Sequence, residues 1–298
     1  MLNHHSLVSL IWRSALIFTA SGFAVVSGNS AFAQIQPDNT LGTQNSIVND
    51  IDALNKRIDG GVKVDGNLFH SFEEFNVSEG GSVYFANPQG IIDIFSRVTG
   101  NNPSNIFGKL GVLGDANLFL INPNGIVFGE NASLDVGGSF VATTTNGIQF
   151  GEQGVFSASN PETPRLLNVS PSALFFNAVN NQAGIQNNSV VPAGTDPAGF
   201  DAFGLRVADG KSLLLVGGNV SMDRGKVNAY GGSDELGGLA ASGSINLLFD
   251  GDNLKLGFPE NVTRADVSLT NQAFVRVEAD GGGDIAINAR NLDILQGS

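Results

Sequence analysis

The sequence predicts an all-β fold, and three observations support this. Of the 298 residues, 42% are hydrophobic and only 14% are charged, and 39 are glycine. Short β-type segments recur along the chain, for example at 82–85, 117–121 and 147–150, and most of them are closed by Gly or Asn. Amphipathic helices need more charged residues than this to cover their solvent-facing side. Short strands joined by tight turns have a composition that is low in charge and rich in glycine.

Segments this short and this closely spaced fit either a β-sandwich or a parallel β-helix, whose coils of about 20 residues contribute strands to stacked sheets. Two features favour the β-helix. Similar segments recur at 216–220, 243–247 and 284–288, and Asn, which can form stacked side-chain ladders, is frequent where strands end. In a β-helix we expect Phe119, Phe128, Phe140 and Phe150 to stack along the core, while a sandwich would pack them in its interior.

Composition excludes several classes of function. The chain has no cysteine, which excludes a disulfide scaffold, a Cys-ligated zinc site and a thiol nucleophile. The net charge of −13 repels a phosphate backbone, and no basic cluster stands out beyond the pair Lys56 and Arg57. We therefore expect no nucleic-acid partner and no metal or other cofactor.

The amino terminus has the organisation of a signal peptide. A mostly apolar run at 14–26 is shorter than the roughly 20 apolar residues that a membrane-spanning helix needs. It is followed by Ala31 and Ala33, the small residues of an Ala-x-Ala cleavage site, immediately before Gln34. We predict that residues 1–33 are removed by cleavage after Ala33.

The mature chain divides into two predicted blocks, 34–180 and 181–298. Residues 180–200 are rich in Asn, Gly, Ala and Pro and lack periodicity, which predicts a long loop or an excursion from the coils. Shorter excursions are predicted at 231–243 and 252–260. No polar capping segment follows the strand-like segment 292–295, so we expect the distal block to continue as further coils in a longer protein.

Two turn motifs stand out. The more specific reads Asn122, Pro123, Asn124, Gly125, Ile126. Proline presets φ at the first corner of a turn, and the following Asn-Gly tolerates positive φ, so one strand ends and the next begins within a few residues.

Residues 116–128, which contain this motif, resemble the second signature of the amino-terminal two-partner-secretion domain of the filamentous haemagglutinin family, and they match its Asn-Pro-Asn-Gly-Ile core in full. The family's first signature usually reads Asn-Pro-Asn-Leu. Its counterpart here is Asn87, Pro88, Gln89, Gly90, which keeps the first two positions. The resemblance is specific over 47–150 and looser from there to Ser298.

The resemblance implies a right-handed parallel β-helix with an amino-terminal β cap and extra-helical loops. It also implies export through the inner membrane, capture by an outer-membrane β-barrel transporter with POTRA domains, passage in an unfolded state and folding at the cell surface. The two turn motifs would then act in secretion and folding. A secreted or surface-attached, monomeric exoprotein with an adhesin-type role follows, with glycans or proteins on host or neighbouring cells as candidate partners.

The sequence offers little catalytic chemistry. His70 is the only histidine beyond the predicted signal peptide, and no Gly-x-Ser-x-Gly nucleophile elbow accompanies it, so we expect it to be structural and the protein not to be an enzyme. Two alternatives remain open. A β-helical carbohydrate-active enzyme requires a carboxylate cluster in one groove, and the delivery front of a contact-dependent toxin requires a separate globular domain beyond Ser298.

Overall fold

The computed structural model describes residues 35–164, 167–177, 183–251 and 253–298, and within these ranges the regular elements are strands alone. None of the described residues forms a helix with the length and apolar character needed to cross a membrane. The strands in chain order are β1 (Ile35–Pro37), β2 (Ser46–Asp50), β3 (Asn55–Gly60), β4 (Val62–Val64), β5 (Asn67–Phe75), β6 (Ser82–Ala86), β7 (Asp93–Val98), β8 (Ser104–Ile106), β9 (Lys109–Leu113), β10 (Asn117–Ile121), β11 (Ile126–Phe128), β12 (Ser133–Asp135), β13 (Phe140–Thr143), β14 (Gly147–Gln149), β15 (Val155–Ser157), β16 (Ala173–Phe176), β17 (Ile185–Asn187), β18 (Pro192–Thr195), β19 (Asp201–Phe203), β20 (Leu205–Arg206), β21 (Leu213–Gly217), β22 (Val220–Asp223), β23 (Lys226–Asn228), β24 (Ser233–Gly238), β25 (Gly243–Asp250), β26 (Asn253–Gly257), β27 (Val267–Thr270), β28 (Phe274–Arg276), β29 (Asp284–Asn288) and β30 (Leu292–Ile294).

These strands build a parallel β-helix with three sheets, which confirms the predicted fold class. Sheet 1 contains the parallel strands β5-β7-β10-β13-β21-β24-β29, and sheet 2 contains β8-β11-β17-β22-β27-β30. Sheet 3 is in two parts, β2-β3-β6-β9-β12 and β20-β23-β28. Each coil passes from sheet 1 to sheet 2 to sheet 3, and equivalent positions lie 24 residues apart at Asp93 and Asn117.

Antiparallel strands close the amino-terminal end of the helix. β1 pairs with β5, placing Ile35 opposite Phe75, and β4 also pairs with β5. β2 pairs with β3 at the start of sheet 3. This arrangement is the expected β cap, and it covers the edge that a solenoid would otherwise expose.

From β5 to β24, sheet 1 is largely buried on both faces, whereas its last strand, β29, is largely exposed. The inner face of sheet 1 lines the core of the coils, where Leu68, Ile94, Leu118, Phe140 and Leu213 occupy one column of the parallel register. Strands covered on both faces consist of nearly continuous hydrophobic runs rather than alternating ones, and the wholly buried strand β21 (Leu-Leu-Leu-Val-Gly) has such a sequence.

An antiparallel outer sheet, β15-β14-β16-β25-β26, covers the other face of sheet 1. Beneath it the rings of Phe69, Phe95 and Phe119 stack on successive coils, with centroids 5.2 and 4.7 Å apart, and Phe150 meets Phe95 edge-on at 5.1 Å.

The prediction of a single stack of four phenylalanines was therefore wrong. Phe119 and Phe150 lie under the outer sheet, whereas Phe128 and Phe140 meet edge-on in the coil core at 6.1 Å. Successive residues of one strand face opposite sides of the sheet, so residues close in sequence enter different cores.

The predicted excursions were correct in part. The hairpin β18–β19 leaves the coils at the end of 180–200 and runs on to Phe203, and β26 lies in the outer sheet within 252–260. Ile185–Asn187, however, is a coil strand of sheet 2. The assignment of 231–243 as an excursion was also wrong for Ser233–Gly238, which is a strand of sheet 1 paired on both sides. The recurring segments were not equivalent either, since 243–247 belongs to the outer sheet and 284–288 to sheet 1.

Candidate secretion motif

The motif 122–126 forms the corner between β10 of sheet 1 and β11 of sheet 2. The Gly125 amide donates to the Asn122 carbonyl at 3.1 Å, the bond of a four-residue turn. The Asn122 amide continues the ladder of sheet 1 by donating to Thr143 O at 2.9 Å. The strand thus ends and turns as the Pro-Asn-Gly sequence predicts.

The side chain of Asn122 holds this corner from inside. It is fully buried, and its Nδ2 donates to Asn102 O and to Ser104 Oγ, both at 3.0 Å. Its Oδ1 accepts from the Asn124 amide at 2.9 Å. Because Asn102 and Ser104 belong to the preceding coil, one amide group joins the turn to its neighbour in the stack.

The rest of the motif contacts the coils on both sides. Asn124 Nδ2 donates to Gly100 O at 2.8 Å, and Ile126 is fully buried between its partners Ser104 and Ile185. Gly125 has φ of 116°, and a Cβ there would lie 3.3 Å from the carbonyl oxygen of Gly184. A side chain at this position would therefore strain the backbone and crowd the next coil.

The other motif, 87–90, lies at a different corner, between β6 of sheet 3 and β7 of sheet 1. Its turn is closed by the Ile91 amide donating to Pro88 O at 3.1 Å, and Gly90 has φ of 82°. With its amide oxygen turned toward the next coil, Asn87 accepts from the amides of Asp115 and Ala116, both at 3.2 Å. Both motifs are thus turns that hydrogen-bond to a neighbouring coil, but they lie at different corners of the β-helix.

The model of the TPS secretion domain family matches residues 33–287. The chain belongs to the two-partner-secretion domain family. Its structure is similar to the HMW1 secretion domain from Haemophilus influenzae, with a TM-score of 0.54 and 20% identity, over 89% of this chain and 68% of that one. This similarity concerns the fold.

A sequence relative is the heme/hemopexin-binding protein of Haemophilus influenzae (strain ATCC 51907 / DSM 11121 / KW20 / Rd). It is 35% identical over 83 residues, which are 28% of this chain and 9% of the relative. The matched part is thus a small share of that longer protein. The family and the fold together identify the chain as the secretion domain of a two-partner-secreted exoprotein.

A polar ladder runs along the start of sheet 1 in this secretion domain. Asn117 Nδ2 donates to Asp93 Oδ1 at 2.8 Å, and Asn117 Oδ1 accepts from the Ser139 amide at 2.7 Å. Ser139 Oγ then accepts from the Ser212 amide at 2.9 Å. Burial raises the pKa of Asp93, although the bond from Asn117 opposes this. Stacked polar side chains occur as expected, but Asp and Ser share the ladder with Asn.

Sequence reasoning missed a buried network around Arg97. Its guanidinium donates to Ser71 Oγ at 2.9 Å, to Ser157 O at 2.9 Å and to Thr40 Oγ1 at 2.7 Å. Its Cζ lies 4.3 Å from the centre of the Phe156 ring. Burial lowers the pKa of Arg97 to about 10 while Asp38 opposes the change. A lone arginine in a strand gives no sequence signal of this role, since its partners lie far away in the chain.

His70 is a buried structural residue of the cap. Its Nδ1 lies 3.1 Å from Ser46 Oγ, its Nε2 has no hydrogen-bond partner among the described residues, and its ring packs against Phe85 with centroids 5.2 Å apart. Burial lowers its pKa to about 3, although Asp59 opposes the shift. Across the described ranges, His, Asp and Glu nowhere gather in groups of three able to hold a metal.

A cleft of about 510 Å³ lies between β12 and the root of the β18–β19 hairpin. Asp135 is the one carboxylate among the described residues that line it, and its Oδ2 accepts from Tyr84 Oη at 2.7 Å. Burial raises the pKa of Tyr84 to about 12, with Asp135 adding to the shift. Glycoside hydrolysis usually requires two carboxyl groups across the scissile bond, and this cleft offers one.

Proposed function

We propose that this domain directs an adhesin-type exoprotein through an outer-membrane β-barrel transporter bearing POTRA domains, and that it nucleates the folding of the β-helix outside the cell. The family supports the secretion role. The observation that carries the folding role is the buried Asn122 corner, which hydrogen-bonds to the preceding coil. A stack of coils can grow only if each new coil engages its neighbour.

The chemistry of the chain suits passage in an unfolded state. It contains no cysteine, so an oxidising periplasm cannot close a covalent loop in it. Stacking of coils outside buries apolar side chains such as Leu118, Phe140 and Leu213, and this free energy opposes backward movement of the chain. The signal peptide with Ala31, Ala33 and Gln34 at its cleavage site lies outside the described residues and is part of the proposal.

The surface partners are proposed as glycans or proteins on host or neighbouring cells. Among the described residues, the cleft beside β12 offers a single carboxylate, which does not favour the carbohydrate-active enzyme. For the whole exoprotein we propose an adhesin-type role.

The test is export of the chain behind its own signal, in cells with and without a co-expressed partner transporter, assayed in medium and periplasm. We expect the wild type in the medium only when the transporter is present. Asn122→Ala removes the amide from the buried Ser104 hydroxyl and from the partly buried Asn102 carbonyl, at about 1–3 kcal/mol for each buried group left unsatisfied. Gly125→Val strains the corner at a cost of about 1–3 kcal/mol. Both variants should accumulate in the periplasm.

Two control variants separate this corner from general damage. Asn131→Ala removes an exposed amide that donates to Glu79 at 2.7 Å, and Gly199→Val strains a glycine at φ of 90° with open space around it in the β18–β19 hairpin. Both should reach the medium. Transporter-independent export of the wild type, or normal export of both motif variants, would contradict the proposal. Asn87→Ala, at the partly exposed first motif, should reduce export less than Asn122→Ala.

A further inference from the structure

Strand β24 places two acidic residues in apolar columns of sheet 1. In the parallel register Asp234 lies between Leu213 of β21 and Ile285 of β29. The next residue, Glu235, faces the opposite side of the sheet, between Leu214 and Ala286. Both sides of this strand therefore carry a carboxyl group where the neighbouring coils carry hydrocarbon.

The carboxyl group of Asp234 is buried with neither a hydrogen-bond partner nor a counter-charge, in the part of the chain that the structure describes, to offset its loss of hydration. Its exposure is 0%, and neither carboxylate oxygen has a hydrogen-bond partner among the described residues. The nearby Ala229 amide favours the ionised form, but it donates its hydrogen bond to Arg276 O at 2.9 Å. A buried, unpaired carboxylate is costly, so burial raises the pKa of Asp234 well above its ordinary value.

The burial of the Glu235 carboxyl group is partly offset by a hydrogen bond. Its Oε2 accepts from the Leu256 amide of β26 at 3.1 Å. Burial raises its pKa to about 7, while that hydrogen bond and the charge of Lys255 oppose the rise and Asp284 adds to it.

The charged groups on the strands packed against β24 give Asp234 no counter-charge. Lys255 of β26 lies 2.9 Å from Asp284 Oδ2 and 3.1 Å from Asp250 Oδ2, so it is shared between two exposed carboxylates. Asp223 of β22 is exposed and accepts from Asn271 at 2.7 Å. On β21 the residues are Leu, Val and Gly.

We propose that β24 is a proton-coupled latch: docking of the coil strands from β24 to β30 onto β21 takes up protons at Asp234 and Glu235, so these coils hold more firmly as the pH falls. Both groups have raised pKa values in the folded state, so protonation there favours folding. The contribution of these two groups to the stability of these coils is greatest below the ordinary carboxyl pKa values near 4. It falls as the pH rises through about 7, where Glu235 ionises, and further as Asp234 is forced to ionise.

The test is hydrogen exchange of the secreted chain read by mass spectrometry from pH 5 to pH 8, corrected for the intrinsic exchange rate. We expect protection in peptides from β24 and β27–β30 to fall at least tenfold over this range. The double variant Asp234→Asn, Glu235→Gln should lose most of this dependence. Asp223→Asn and Asp293→Asn, which remove exposed acids on β22 and β30, should keep it.

A second variant tests the same proposal if the double variant folds poorly. Asp234→Leu restores the leucine of the column and should raise protection at pH 8 more than at pH 5. Protection of the β24–β30 peptides that does not change with pH in the wild type overturns the latch. Asp234 variants that keep the wild-type pH dependence would overturn it as well.

Discussion

The buried side chain of His70 makes the stability of the cap depend on pH. The folded cap excludes water from its imidazole and leaves Nε2 without a partner among the described residues, so the charged form is disfavoured. The pKa of His70 falls from its ordinary 6.5 to about 3 on folding. Protons therefore bind preferentially to the unfolded chain in this pH range, opposite in sense to Asp234 and Glu235.

From this we predict that His70 lowers the free energy of unfolding as the pH drops from about 6.5 towards 3, by at most about 1.4 kcal/mol per pH unit. His70→Leu should remove this slope because leucine cannot titrate. The measurement is urea unfolding of the wild type and the variant at matched pH values. The carboxyl groups contribute equally to the pH dependence of both proteins, so the difference between the two slopes reports His70. Identical slopes in the two proteins would show that His70 is not buried as a neutral ring.

At the scale of elements, the two kinds of excursion differ in what they cover. The outer sheet covers Phe69, Phe95 and Phe119, so it completes a second core. The β18–β19 hairpin leaves and re-enters at one point, because the Gly204 amide donates to Val191 O at 2.7 Å. Its Phe200 remains 71% exposed. The outer sheet is therefore an integral part of the fold, whereas the β18–β19 hairpin is an addition to its surface.

Replacing residues 194–201 by an Asn-Gly turn should lower the free energy of unfolding by no more than about 1 kcal/mol, as is usual for surface changes. Arg206 loses its bond to Thr195 O but keeps Ala193 O and Asp209. Phe119→Ala, beneath the outer sheet, should cost about 3–5 kcal/mol. Thermal unfolding compares the two, and a larger loss for the hairpin replacement would contradict this division.

At the scale of the whole domain, the Arg97 network joins three parts distant in the chain: the amino-terminal segment, sheet 1 and the outer sheet. Arg97 bonds to Thr40, 57 residues away, and to Ser157, 60 residues away. Asp38 completes the network by accepting from Ser71 and Thr40, both at 2.7 Å. Burial acts to raise the pKa of Asp38, but hydrogen bonds from Thr99, Thr40 and Ser71 outweigh it and hold the pKa below its ordinary value.

Arg97→Met should lower the free energy of unfolding by about 1–3 kcal/mol for each buried group left without a hydrogen bond, because Ser71, Ser157 and Thr40 lose their guanidinium donor. The matched control is Arg57→Met, which removes an exposed ion pair with Asp59 at 2.8 Å and should cost less than about 1 kcal/mol. Urea unfolding gives both values, and hydrogen exchange should show the loss of protection reaching residues 38–42. Equal midpoints for the two variants would show that the network does not tie the domain together.

Local chemistry let the sequence determine the β class, the two turn motifs and the family. Pro followed by Asn-Gly specifies its turn within a few residues, and Gly125 does adopt the positive φ that this requires. The structural role of His70 followed from the lack of a nucleophile motif. Its unpartnered Nε2 did not, because that depends on how the cap packs.

Only the tertiary structure decided which segments are coils. Ile185–Asn187 and Ser233–Gly238 lie in loop-like sequence, yet each becomes a strand because the neighbouring coils supply its hydrogen-bond partners. The division of the phenylalanines between two cores, the Arg97 network and the acids of β24 depend in the same way on residues that stacking brings together. Partners 20 to 60 residues apart, such as Asn122 with Asn102 and Arg97 with Ser157, leave no local pattern in the sequence, so their pairing is fixed only when the coils close on one another.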